Sequence, residues 1–143
     1  MLYDAKISSN IALPLNTIKI VIIKIKIKST LQNITENTID VIETTAIKNK
    51  NKITFIDNNT SYRLLIDDNK VTIIRESNEF NHNLTFINGT NTISNYLIKE
   101  YNSTIPIEVK TTNLFIQDNI IEITYEVIDN KNKYLYKIEM SDK

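Results

Sequence analysis

Arg75, His82, Tyr125 and Tyr136 are the side chains in this sequence whose types and spacing could do chemistry. Each falls on the apolar phase of an alternating segment. Arg75 follows Val71 and Ile73, His82 sits between Phe80 and Leu84, Tyr125 follows Ile121 and Ile123, and Tyr136 precedes Ile138 and Met140. A period of two puts such residues on the face that a strand buries. A buried guanidinium has to be paired or hydrogen-bonded, because a lone charge in a low-dielectric interior is very costly. Arg75 therefore points either to a structural role with a bonded partner or to a seat for an anionic group. His82 is the one histidine and has no carboxylate at a readable spacing, so a hydrogen-bonded core or rim position is expected over general acid–base work. Tyr134 shares the inward phase with Tyr136; Tyr62 and Tyr96 are not phased by their neighbours. An inward tyrosine hydroxyl either meets a ligand's polar group or finds a partner at the rim while its ring packs the core.

Other chemistries are excluded or left without their residues. There is no cysteine, hence no disulfide, thiolate metal site or Cys nucleophile. One glycine is too few for a phosphate-cradling loop. No nucleophile elbow or Ser-His-Asp order stands out. A lone histidine gives no metal set. Glu108, Glu122 and Glu126 fall in outward phase, which argues against a paired-carboxylate site inside the fold. The expectation is a non-enzymatic protein without cofactor or metal.

Charge is balanced, with 17 basic and 17 acidic residues, so there is no electrostatic footprint for nucleic acid or an anionic membrane. The triplets of N-x-[ST] form at Asn33, Asn58, Asn59, Asn83, Asn88 and Asn102 follow from the abundance of Asn and Thr rather than from glycosylation. Residues 1–16 carry Asp4, Lys6 and Pro14 and lack a small-x-small cleavage site, unlike a signal peptide. The apolar run from Thr17 to Ile27 is broken by Lys19, Lys24 and Lys26 and is short of the ~20 residues that a spanning helix needs. A soluble, cytoplasmic protein is expected.

The elements that would position these side chains are strands. Val21, Ile23, Ile25 and Ile27 alternate with Ile22, Lys24, Lys26 and Lys28, and the same period recurs over 121–128 and 134–140. Turns recur at Asp57-Asn58-Asn59, Asp67-Asp68-Asn69, Asn88-Gly89 and Asp129 to Asn132; Asn and Asp tolerate positive φ and so replace glycine. The strands predicted are 18–29, 37–48, 52–57, 60–67, 69–76, 80–88, 92–100, 105–112, 119–129 and 133–141. Over 92–101 a helix with Thr92 as its cap fits the spacing as well. Short hairpin-linked strands without a helix favour an all-β, closed antiparallel up-and-down barrel of about 8–10 strands, in which closure removes exposed edges. The first strand is long enough to bend and close it. The chain divides into a leader or strand cover, 1–16, and one barrel domain, 17–143.

The stretch from Arg75 through Phe86, Asn88-Gly89, Thr92, Tyr96 and Tyr101 to Ile107-Glu108-Val109-Lys110-Thr111 resembles the YwiB-like family of uncharacterised bacterial proteins, a domain of unknown function. The resemblance covers about residues 18–141. It implies a calycin-like, lipocalin-like barrel and no established reaction or ligand. Two family glycines are replaced here, one at Asn102 and one at Glu76-Ser77.

Two functions follow as expectations. A small, mostly apolar or amphipathic ligand would occupy the barrel, with a polar or anionic group facing Arg75, His82, Tyr125 or Tyr136. Alternatively, the protein is an interaction or structural module acting through its outer face. Ile18, Ile20 and Ile22 form an apolar row in outward phase, which needs a cover: the leader, or another chain in a homo-oligomer. Lys24, Lys26 and Lys28 are expected as a solvated face that blocks strand-to-strand aggregation.

Overall fold

The computed structural model describes residues 2–6 and 19–142, and side chains from Ile22 onward. Eleven strands follow one another: β1 (Leu2–Lys6), β2 (Lys19–Asn33), β3 (Thr38–Asn49), β4 (Lys52–Asp57), β5 (Thr60–Ile66), β6 (Lys70–Glu76), β7 (Phe80–Ile87), β8 (Asn91–Ile98), β9 (Ser103–Gln117), β10 (Ile120–Val127) and β11 (Lys133–Asp142). Each strand from β2 to β11 pairs antiparallel with the next, and β11 pairs back onto β2 from Tyr134↔Asn33 to Asp142↔Ile25. The result is a closed ten-strand up-and-down barrel.

β2 makes the closure. One edge pairs with β3 from Ile23↔Lys48 to Asn33↔Thr38, and β11 is also bonded to it over the same stretch. Its odd residues supply the interior, with Ile25, Ile27 and Ser29 buried, while Lys26 and Lys28 are exposed. Lys28 lies between Glu43 and Glu139 in the cross-strand register, so the lysine face meets carboxylates on both neighbours. β1 adds to the start of β2, with Tyr3↔Ile22 and Ala5↔Ile20 in register. Of the apolar row expected to need a cover, Ile22 is half-buried. Ile18 and the side chain of Ile20 lie outside the described residues.

The turns explain how a barrel forms with one glycine. Asn58 and Asn59 both take positive φ, 51° and 64°, as a two-residue hairpin between twisted strands requires. Gly89 (φ 71°) and Asn102 (φ 47°) turn the chain in later hairpins, so asparagine serves in the way glycine does. The segment 92–101 is strand β8 and its turn, not a helix. Tertiary pairing on both edges of β8 overrides the helical spacing of its apolar residues.

β9 is longer than its alternation suggested. The register with β10 shifts between Thr124 and Tyr125, leaving Thr112 as an extra residue. Val109 and Thr111 face in before this bulge, and Leu114 and Ile116 are the half-buried positions after it. A bulge swaps the phase of everything beyond it, so a strict period of two ends there although the strand continues. It also lets β9 pair with β8 along its first half and with β10 along its second.

The interior is divided along the barrel axis. Ile53, Leu64, Val71, Ile73, Phe86, Ile121 and Ile138 fill the end marked by the β3–β4, β5–β6, β7–β8 and β9–β10 turns; each is fully buried. Phe86 is the largest of them. Replacing it by alanine is expected to cost about 3–5 kcal/mol, whereas Ile56→Ala, at 68% exposed, stays within about 0.5 kcal/mol of the parent. Urea denaturation of the two variants checks the contrast.

Candidate functional site

The polar interior residues collect at the other end of the barrel. Arg75 lies one residue before the end of β6, His82 near the start of β7, Tyr125 near the end of β10 and Tyr136 near the start of β11. Antiparallel order brings these strand ends to one rim. A cavity of about 590 Å³ opens there, and Arg75, His82, Tyr125 and Tyr136 all stand on its wall. Tyr134 and Tyr62 join them, with Leu84, Ile107 and Val109 as apolar lining.

The register explains the grouping. Tyr62 is opposite Arg75, Arg75 is opposite His82, and His82 is opposite Tyr96, so one inward row crosses four strands. The Arg75 guanidinium is seated on aromatic faces, its Cζ 5.1 Å from the centre of the Phe80 ring and 5.8 Å from that of Tyr62. Cation–π contact of this kind is worth about 0.5–2 kcal/mol and leaves the N–H edges free to bond. Among the described residues no carboxylate lies within ion-pair distance of Arg75, and it makes no hydrogen bond. The interior arginine is thus held by rings, not by an acid.

His82 is 7% exposed. Its Nε2 is 3.1 Å from Ser94 Oγ, and its ring meets Tyr96 edge-on at 5.0 Å. Nδ1 is buried and has no hydrogen-bond partner among the described residues. Burial, and secondarily the positive charge of Arg75, lower its pKa from 6.5 to about 4, so the ring is neutral at pH 7. The histidine therefore adds no cation to the cavity.

The tyrosines form a second wall. Tyr125 stacks on Tyr134 at 5.1 Å and leans on Phe86 at 4.8 Å. Ser29 Oγ donates to the Tyr136 hydroxyl at 3.1 Å. Burial raises the pKa of both Tyr125 and Tyr136; for Tyr125 the neighbouring tyrosines add to the rise, and for Tyr136 the Ser29 bond works against it. Both are neutral hydroxyls at physiological pH.

Asp40, Val41 and Ile42 of β3 and Asp57 of β4 also line the cavity. β3 and β4 pair only at their shared hairpin, from Ile47↔Thr54 to Asn49↔Lys52. Beyond it they diverge, and the lining comes from both banks of the gap. The barrel wall is relaxed where the cavity lies.

Ser29, Tyr62, Asp40 and Asp57 were not among the candidates from sequence. Ser29 and Asp57 continue the inward phases of Ile25-Ile27 and Ile53-Phe55, a signal that could have found them. Tyr62 becomes identifiable only through its register with Arg75 and its stacking on Phe55 at 4.7 Å.

No known protein-family profile matches the chain, and no curated protein matches it in sequence. Among solved structures, the crystal structure of ywiB protein from Bacillus subtilis is similar, with a TM-score of 0.64 over 85% of this chain and 92% of that one. The two are 15% identical, so the likeness is one of fold. The YwiB-like barrel expected from the segment between Arg75 and Thr111 is the architecture found. Among the described residues no helix is long and apolar enough to cross a membrane.

The state of His82 has a measurable consequence. A histidine whose pKa is lower folded than unfolded leaves stability intact above about pH 6.5 and removes it as pH falls towards 4, because the unfolded chain takes up the proton first. The depression corresponds to on the order of 3 kcal/mol. The Tm of the parent protein should therefore fall more steeply between pH 7 and 4.5 than that of His82→Gln, as followed by circular dichroism.

Proposed function

We propose that this protein is a cytoplasmic, non-enzymatic carrier or sensor that holds one small, mostly apolar molecule in its barrel. The observation that carries the reading is the Arg75 guanidinium, facing the cavity without an acidic partner among the described residues. A structural arginine closing a barrel would gain most from a carboxylate across the opening, because a buried charge is tolerated when it is paired. Asp40 and Asp57 line the same cavity, yet neither pairs with it.

Three further features support the reading. The volume lies within the range of small-molecule sites, ~300–1,000 Å³. The wall combines aliphatic and aromatic side chains with a few convergent polar atoms, as such sites do. The opposite end of the barrel is filled by Phe86 and aliphatic side chains, so a ligand would rest on a packed floor.

The polar groups lend themselves to recognition more than to reaction. Tyr125 and Tyr136 hold their protons, and His82 is neutral and bonded to a serine, with no acid among the described residues to orient it as a base.

Binding is testable with 1-anilinonaphthalene-8-sulfonate, an aromatic anion that fluoresces when sheltered from water. Saturable uptake by the native protein is expected. Ile107→Trp, which projects an indole into the half-buried cavity wall, should weaken it by about tenfold or more. Native mass spectrometry of freshly purified protein would reveal a retained ligand. A protein that takes up no probe and carries no additional mass would end the proposal.

A further inference from the structure

We infer that the ligand's head group is a single carboxylate, held between the Arg75 guanidinium and a proton on His82 Nδ1. The inference rests on the reading of the cavity as a binding site and narrows it to one class of ligand, an apolar monocarboxylic acid.

The geometry begins with register. Arg75 and His82 are directly opposite on β6 and β7 and face the same interior, and Cβ atoms of opposed residues are about 5 Å apart. A two-oxygen acceptor above the pair reaches both. One oxygen meets an edge of the guanidinium, whose planar fork matches a carboxylate. The other meets the ring of His82.

The unpartnered Nδ1 is the second observation. It belongs to a side chain 7% exposed, on the wall of the cavity, and it is one of the few buried polar atoms without a partner among the described residues. Such atoms are uncommon, and each costs about 1–3 kcal/mol when left unsatisfied. The other ring nitrogen is occupied by Ser94. The serine hydroxyl can donate to Nε2 or accept from it, since its proton rotates freely. When it donates, Nδ1 carries the hydrogen and becomes a donor that still lacks an acceptor among the described residues. A carboxylate selects that arrangement, because the alternative turns a lone pair towards an anion.

Charge decides between anions. Among the described residues Arg75 is the one cationic side chain on the cavity wall, and His82 is neutral at pH 7. One negative charge can pair directly with the guanidinium at the head-group position. Asp40 and Asp57 share the wall and repel a second, so a phosphate monoester, close to a dianion at this pH, is disfavoured. Away from the head group, Leu84, Ile107, Val109 and the tyrosine rings offer an apolar surface. They favour a hydrocarbon or aromatic body over a polar one.

Naphthalene-2-carboxylate, its methyl ester and 2-naphthyl phosphate present three head groups on one body. Their competition against the fluorescent sulfonate probe separates the possibilities. The acid should bind more than about tenfold more tightly than either analogue, and Arg75→Gln should abolish its advantage over the ester. Far-UV circular dichroism and Tm establish that the variant is folded, and Arg75→Lys should restore part of the preference. His82 is the only histidine, so its ring nitrogens give unambiguous ¹⁵N resonances. Titration with the acid should shift the Nδ1 resonance and leave Nδ1 protonated at saturation, whereas the ring of a merely structural histidine would not respond to the ligand. Equal competition by acid and ester, or an acid that binds without placing a proton on Nδ1, would overturn the inference while leaving the barrel a binder. A protein that takes up neither the fluorescent probe nor any of the three would overturn both readings.

Discussion

A sheet of ten strands left open would present two rows of unpaired backbone N–H and C=O groups, and the pairing of β11 with β2 removes both. Every other feature of the interior depends on that contact. It turns a curved sheet into an enclosure and makes inward phase on each strand mean the same volume. Without it, Ser29 and Tyr136, 107 residues apart in sequence, would not share a hydrogen bond. The long β2 makes the junction by supplying partners to β3 and β11 over the same residues.

The enclosed volume is filled unequally. Aliphatic side chains and Phe86 occupy one end at full burial, while the polar inward residues stand at the other. The division follows from the strand order, because residues near the ends of even-numbered strands and the starts of odd-numbered ones share a rim. It also sets the electrostatics. His82 gives up its charge on burial, Tyr125 and Tyr136 keep their protons, and the Arg75 guanidinium rests on two aromatic faces. Among the described residues one cation then remains facing an open cavity.

Closure is also relaxed at defined places. The Thr112 bulge lets β9 leave β8 and join β10, and β3 separates from β4 beyond their hairpin. The second of these borders the cavity, with Asp40 and Val41 on one bank and Asp57 on the other. The packed end of the barrel and the gap between β3 and β4 thus lie at opposite ends of the interior.

The sequence by itself determined the all-β class, nearly all the strands and the inward phase of Arg75, His82, Tyr125 and Tyr136. Those properties are local: the period of two and the turn chemistry of Asn and Asp are written in neighbouring residues. The full length of β9 was not legible, because the bulge interrupts the period while the strand goes on. Nor was β8 distinguishable from a helix before its two partners were known. Phase says that a side chain points inward, but not which inward residues meet. Tertiary structure alone decided that Tyr62 and His82 flank Arg75, that Ser94 occupies one nitrogen of His82, and that no acid reaches the guanidinium among the described residues. The reason is that cross-strand register joins residues distant in the chain, and a single sequence carries no local mark of which strand will lie beside which.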